Sequence, residues 1–299
     1  MLDKRTYVFT TQGIQVPVNL SWLKHLKKRR GRRILTQALR MLRFHKTSFS
    51  TLLENIFEVM EQYQAKFTFP IVASVALKHP KLTREILRSG HEVAVHGFKH
   101  VKYTYLTECQ QEGDIKMALA AFKEIGIPVY GFRAPYNTYT EYTPKLLEKY
   151  GFLWDGGIGF NPKYRGRAYP FRVSVNDHMS SFTCIHLSKW SDDKMIDVYG
   201  FQSHQIGETL KRDIKRASER HGVVMFDLHP IRIGQPQYID GLRQALAYGT
   251  ELNGWFPTVT EVVKYWRKHG NWKHDAAFCC LMTGDIDNFV FLDYLQRLL

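Results

Sequence analysis

The chain of 299 residues is 44% hydrophobic and 23% charged, ordinary globular usage with enough length for one large α/β domain, so disordered, fibrous and disulfide-stapled mini-protein classes are excluded. Lys and Arg number 42 against 28 Asp and Glu, a net charge of +14 that favours an acidic partner or surface. The four cysteines, Cys109, Cys184, Cys279 and Cys280, have neither disulfide-framework nor thiolate-zinc spacing, and no secretory leader or 18-residue apolar run occurs; the chain reads as cytoplasmic, in a reducing compartment.

In chain order, residues 6–10 form a short β-prone run. A basic arm follows: Lys24, Lys27, Lys28, Arg29, Arg30, Arg32, Arg33, Arg40 and Arg43 supply nine positive charges with no acid among them, and without these the net charge is +5. The arm's apolar residues Leu23, Leu26, Ile34, Leu35, Leu39 and Leu42 suit peripheral contact of residues 24–43 with an anionic membrane; a solvated basic helix, or one packed on the domain, fits equally. From residue 45 onward β-rich runs alternate with helical patterns. A helix is expected over 49–63, a strand over 67–73, a helix over 82–87 closed by Gly90, and a strand over 91–97. Thr107 and Gln110 have capping-box spacing for a helix that stops at Gly126. A strand over 129–133 precedes a helix with Thr143 as N-cap, Pro144 inside and Gly151 beyond its end. Strands over 152–158 and 182–187, a helix over 206–221 and a strand over 223–228 follow. Thr258 and Glu261 form a second capping box for a helix ending near Gly270, and a strand over 276–282 and a helix over 289–298 complete the pattern.

Seven strands separated by helices mean a parallel sheet and, if it closes, a distorted (β/α)7-type barrel; an open doubly wound sheet is the alternative. Two parts are read: residues 1–44, an N-terminal strand and basic helical arm, and residues 45–299, the barrel.

In such a barrel function collects at the C-terminal strand ends. There stand His96 with His100, Arg133-Ala134-Pro135-Tyr136, His229-Pro230, and Asp285-Ile286-Asp287. Two histidines four apart with two carboxylates two apart can bind one metal and leave a carboxylate free. Each signal alone has a plain structural reading: a solvated His pair, a rigid turn, a helix-start cap. That all follow strands favours the joint reading.

Several segments resemble the polysaccharide deacetylases, the NodB-type or carbohydrate esterase 4 family, between about residues 44 and 269. Phe67-Thr68-Phe69-Pro70 resembles the family's second strand, and Ser89-Gly90-His91-Glu92-Val93-Ala94-Val95-His96 its Gly-His-Glu segment. His96 with His100 resembles its metal-binding pair, Phe132-Arg133-Ala134-Pro135-Tyr136 its Arg-x-Pro-Tyr motif, and Phe226-Asp227-Leu228-His229-Pro230 the strand with its catalytic histidine. The family's first motif, an Asp pair ending the first strand, is missing from the N-terminus, where Tyr7-Val8-Phe9-Thr10-Thr11-Gln12-Gly13 carries no carboxylate. It reappears as Asp285-Ile286-Asp287. Either the C-terminal strand takes the family's first-strand place in its own barrel, a circular permutation; or it inserts into a neighbouring protomer; or the N-terminal strand fills the slot and leaves a pseudoenzyme. The first is favoured, since the seven strands suffice without residues 7–10.

The resemblance implies one divalent metal held by His96, His100 and Asp287, zinc by donor type, with iron, cobalt or nickel also fitting. Asp285 is the implied general base, paired with Arg133 and kept ionised by it. The backbone N–H of Tyr136 would assist the oxyanion, His229 would be the general acid, and Asp227 would either tune the imidazole or make a structural hydrogen bond. Asp155 reads as structural or substrate-positioning; Trp190, Tyr139 and Trp255 are candidates for a sugar-sized cleft. The implied substrate is an N-acetylated sugar in a glycan or a lipid- or nucleotide-linked envelope precursor. A hydrolase of non-sugar amides (ureide or purine-derived) would use the same residues in a small closed pocket. A non-catalytic basic module would need only the arm, and nucleic acid is its less expected partner. An oligomer is compatible with every reading.

Overall fold

A computed structural model describes residues 7–9, 15–17, 39–164 and 166–298. The chain divides into two units, Met1–Arg43 and Phe44–Leu299. In the first, Tyr7–Phe9 and Gln15–Pro17 pair as a two-stranded antiparallel sheet, so the β-prone run at 6–10 makes its own ribbon. Most of the basic arm lies outside the described residues. No described helix is long and apolar enough to cross a membrane.

The second unit is α/β. The strands of its main sheet are β1 (Phe67–Ile71), β2 (Glu92–Val95), β3 (Gly131–Phe132), β4 (Trp154–Asp155), β5 (Thr183–Cys184), β6 (Leu187–Ser191), β7 (Val223–Asp227), β8 (Gly254–Trp255) and β9 (Phe278–Thr283), and Ser174–Val175 and His178–Met179 pair separately as an antiparallel ribbon. Strands β1 to β9 form one parallel sheet in the order β6-β7-β9-β1-β2-β3-β4-β5, with β8 joined to the start of β9. The sheet curls without closing. The strand expected over 182–187 breaks at Ile185 and His186, and its halves become the two ends of the path. Two residues are too few for the crossover that neighbouring parallel strands require, so β5 and β6 are not partners in the sheet. The expected distorted barrel thus takes the form of a curled half-barrel.

Strand β9 lies between β7 and β1. It pairs Val223 to Asp227 with Cys279 to Thr283 on one side, and Met282 and Thr283 with Phe67 and Thr68 on the other. All six of its residues are buried, the pattern of a parallel strand covered on both faces. Core residues Trp154, Leu187, Met225, Val262 and Leu281 pack in one cluster. Trp154 has no exposed surface, and a Cβ on Gly131 would fall 1.8 Å from its ring, so only glycine fits on that strand.

Helices α1 (Phe49–Gln62), α2 (Ala73–Lys78), α3 (Pro80–Arg88), α4 (Glu108–Glu124), α5 (Tyr142–Lys149), α6 (Ser203–Glu219), α7 (Ile239–Glu251), α8 (Val259–His269) and α9 (Phe291–Leu298) surround the sheet. Both expected capping boxes form, at Thr107 with Gln110 and at Thr258 with Glu261, and Gly126 and Gly270 adopt the left-handed conformation that stops their helices. Thr143 is not the N-cap of α5. Glu141 holds that position, and Thr143 is buried with its hydroxyl donating to Gln111 Oε1 at 2.9 Å. Helix α7 was not expected from the sequence.

A chain lacking residues 276–299 loses the strand between β7 and β1 and leaves two buried parallel edges unpaired. We expect it to be insoluble or to lack cooperative thermal unfolding and near-ultraviolet dichroism. A soluble truncation with a sharp unfolding transition would show that β9 is dispensable to the fold.

Candidate active site

All strands of the main sheet run parallel, so their C-terminal ends share one rim. Strand β2 delivers His96, whose side chain is buried. Gly97 turns the chain at φ +72°, and a Cβ there would fall 2.9 Å from Asp114 Oδ2. From α4, Asp114 accepts the backbone N–H groups of Phe98 at 2.9 Å and Lys99 at 3.1 Å and the Tyr103 hydroxyl at 2.9 Å. Desolvation raises the Asp114 pKa against these donors. The anchored loop returns His100 to within 5.2 Å of His96, ring to ring.

Beyond β9 the chain stays extended beside β1. The N–H of Gly284 donates to Thr68 O at 3.1 Å, that of Ile286 to Pro70 O at 2.8 Å, and that of Val72 to Ile286 O at 3.1 Å. A Cβ on Gly284 would stand 1.9 Å from Leu228 O. Alternation along this extended segment points Asp285 and Asp287 the same way, toward the histidines. His96 Nε2 lies 3.3 Å from Asp285 Oδ2 and 3.6 Å from Asp287 Oδ1, and His100 Nε2 lies 3.2 Å from Asp287 Oδ1.

These atoms fit a divalent metal. His96, His100 and Asp287 each offer one ligand atom, all within 4.8 Å of one another. His96 Nδ1 is 2.8 Å from the Arg133 carbonyl oxygen; a carbonyl only accepts, so the ring hydrogen sits on Nδ1 and the Nε2 lone pair faces the carboxylates. That Nε2 is buried and makes no hydrogen bond, as expected of a ligand atom. Two imidazoles and one carboxylate suit zinc and its first-row neighbours, and three protein ligands leave coordination open for chemistry.

Arg133, just past β3, has no exposed surface. Its NH1 group donates to Asp285 Oδ1 at 2.9 Å and Asp227 Oδ1 at 3.1 Å, its NH2 group to Thr283 Oγ1 at 2.6 Å, and its Nε to Gly156 O at 3.3 Å. Burial opposes its charge, but Asp285 and Asp227 outweigh burial and its pKa is raised. Burial and the Asp285 charge push Asp227 up to about 7, against the pull of His229 and Arg133.

Carboxylate oxygens of Asp227 and Asp285 and a ring nitrogen of His229 also lie within 4.8 Å of one another. His229 Nδ1 is 2.7 Å from Asp192 Oδ1. Burial lowers the His229 pKa, but Asp227 and Asp192 outweigh it and hold the imidazole well above its ordinary value. Asp192 itself is fully buried and raised by that burial. Tyr136 sits at φ 60°, ψ 15°, a left-handed conformation that costs a non-glycine residue energy and clusters at functional sites. Its ring lies 4.3 Å from that of His100.

Two cleft candidates lie elsewhere. The Tyr139 hydroxyl is consumed inside, donating to Asp155 Oδ2 at 3.0 Å and accepting from Ala134 N at 3.1 Å. Asp155 also accepts from Gly157 N and Ile158 N, and burial raises it to about 6. Trp255 is on β8 beside Cys279 at the start of β9, the end of the sheet opposite the carboxylates. Trp190 does stand at the rim, on β6 two residues before Asp192. Sequence reasoning missed Asp114 and Asp192. Asp192 had a signal, as it ends a strand, whereas Asp114 lies on a helix with no motif around it.

His96→Ala removes a ligand atom that nothing nearby replaces. We expect dialysed protein reloaded with zinc or cobalt to bind one metal per chain, and the variant to lose stoichiometric binding in elemental analysis while keeping its fold. Full occupancy in the variant would move the site elsewhere.

Comparison with known proteins bears on this arrangement. Residues 37–153 match the family model described as Polysaccharide deacetylase. A peptidoglycan deacetylase of Helicobacter pylori is 30% identical over 96 residues, 32% of this chain and 31% of that protein. The chain spans about a third or less of the length of the curated relatives it matches. The fold is similar to that of a polysaccharide deacetylase-like protein of Mycobacterium smegmatis, with a TM-score of 0.64 and 21% identity over 74% of this chain and 79% of that one. It is equally similar to that of Puue allantoinase, with a TM-score of 0.64 and 20% identity over 78% and 77% of the two chains. The match over residues 37–153 holds His96, His100, Arg133 and Tyr136, so over that part the chain is similar to the polysaccharide deacetylase family, and its fold is of the same kind.

Proposed function

We propose that the chain is a metal-dependent hydrolase that removes the N-acetyl group from an amino sugar carried on a glycan or on a lipid- or nucleotide-linked envelope precursor. The observation that carries this reading is the convergence of His96, His100 and Asp287 on one point, with Asp285 turned toward the same histidine and clamped by Arg133.

His96, His100 and Asp287 would hold a divalent ion, which would supply Lewis acidity toward an attacking water and the amide carbonyl. Asp285 accepts the proton of that water. Its Oδ1 receives the Arg133 hydrogen bond, which leaves Oδ2, the oxygen beside His96, to act as the base. The strained turn at Tyr136 presents its backbone N–H to the oxygen that gains negative charge. His229, protonated and oriented through Nδ1 by Asp192, donates the proton on Nε2 to the departing nitrogen. Acetate and the free amine are the products.

We also read β9 as the family's first strand displaced by circular permutation. Two observations support this: the family match covers β1 to β3 and contains no carboxylate of the site, and the missing carboxylates follow a strand that lies beside β1. The four cysteines are free thiols, which supports a reducing, cytoplasmic setting.

The test is acetate release from N-acetylglucosamine oligomers and from a nucleotide-linked N-acetylglucosamine by zinc-loaded protein. Asp285→Asn is expected to keep its metal and lose roughly two or more decades of turnover; undiminished turnover removes Asp285 from the mechanism. The Asp192 charge raises the His229 pKa, so removing it lowers that pKa and the acid form is lost at lower pH. For Asp192→Asn we expect the alkaline limb of the kcat/KM profile to move down, by about one unit or more. An unmoved limb would separate His229 from the proton donor.

A further inference from the structure

Lys102 lies two residues beyond His100. Its ammonium stands 5.3 Å from the centre of the Tyr136 ring and 5.8 Å from that of Tyr105, and the Tyr136 ring rests 4.3 Å from the ring of His100. Among the described residues no carboxylate comes within ion-pair distance of this ammonium. Two aromatic faces hold the charge in place without neutralising it. Tyr136 is 53% exposed, so the cation stands at the open mouth of the site. A second such set flanks the general acid: Lys189 and Lys194 stand 5.4 and 5.1 Å from the ring of Trp190, on the strand that leads to Asp192. The carboxylates Asp285 and Asp227 are bound to Arg133 inside, and Asp192 and Asp193 gather beside His229, so Lys102 is a cation that these acids leave unneutralised.

We propose that Lys102 is a substrate-positioning residue that binds an anionic oxygen group, phosphate or carboxylate, carried by the N-acetylated sugar close to its acetamido group. The preferred substrate is then an acidic sugar rather than a neutral polymer segment. Pre-orientation by the two tyrosines lowers the ordering cost of the contact, and a long-range positive field aids encounter. This inference rests on the deacetylase reading for its reaction but not for its test, which measures binding.

Calorimetry of zinc-loaded protein with N-acetylglucosamine, N-acetylglucosamine 1-phosphate and N-acetylmuramic acid separates neutral, phosphate and carboxylate ligands. We expect at least one acidic sugar to bind about tenfold or more tighter than the neutral one, as charge-assisted contacts do. The preference should shrink with added salt, vanish in Lys102→Met and survive in Lys102→Arg, with the neutral sugar unaffected in both. On a turned-over acidic substrate, Lys102→Met should raise KM about tenfold and leave kcat unchanged. Equal binding of all three sugars by the unmodified protein, or a preference that persists in Lys102→Met, overturns the proposal. Discrimination in binding without any acetate release would sink the deacetylase reading and leave this inference standing. Release from neutral and acidic sugars with the same KM would do the reverse.

Discussion

A guanidinium with no exposed surface sits at the centre of the rim, and the acidic groups around it are arranged to keep it there. Arg133 reaches Asp285, Asp227, Thr283 and the carbonyl of Gly156, which ties the ends of β3, β4, β7 and β9 together. Removing one partner of a buried ion pair costs about 3–5 kcal/mol, comparable with the net stability of many domains. The same contacts set register, because a slip of one residue would turn Asp227 or Asp285 away from the cation. The constraint that organises the chemistry also fixes the sheet.

Two carboxylates share one cation, and they are not equivalent. Burial and the charge of Asp285 push Asp227 up to about 7, whereas Asp285 turns its second oxygen toward His96. Asp227 also helps hold His229 protonated. Under the proposed mechanism, one arrangement of charge places the proton donor and the proton acceptor within a few ångströms of each other, which is how a single rim can host acid and base at the same pH.

Much of this was legible because the site residues follow apolar strands directly. His96, Arg133, His229 and Asp285 each stand within two residues of a strand end, and a parallel sheet makes those ends neighbours however far apart they lie in sequence. The run from Ala276 to Met282 announced a doubly buried strand, and its place beside β1 followed from the slot left empty. What could not be read depended on approach rather than pattern. Helix α7 carries Gly241 and Gly249, poor helix formers that weaken its signal. Both are dictated by packing, since a Cβ would fall 2.7 Å from Ser203 O at the first and 2.7 Å from the Phe256 ring at the second. The corner at Ile185 and His186 interrupts a run that reads as one strand. Tyr139 looked like a cleft aromatic because nothing local reveals that its hydroxyl is spent between Asp155 and Ala134.

The position of β9 in the middle of the sheet also governs the order in which the protein can become itself. It is the last of the sheet's strands to leave the ribosome, yet it belongs between β7 and β1, so while the chain is being made two strands wait with facing edges open. Open parallel edges of this kind are the hazard typical of slow, non-local pairing. Asp285 and Asp287, the carboxylates that face the two histidines, arrive on that same segment. A nascent or truncated chain therefore carries both histidines without the carboxylates that face them, and the candidate site is assembled in one step with the closing of the sheet's central gap.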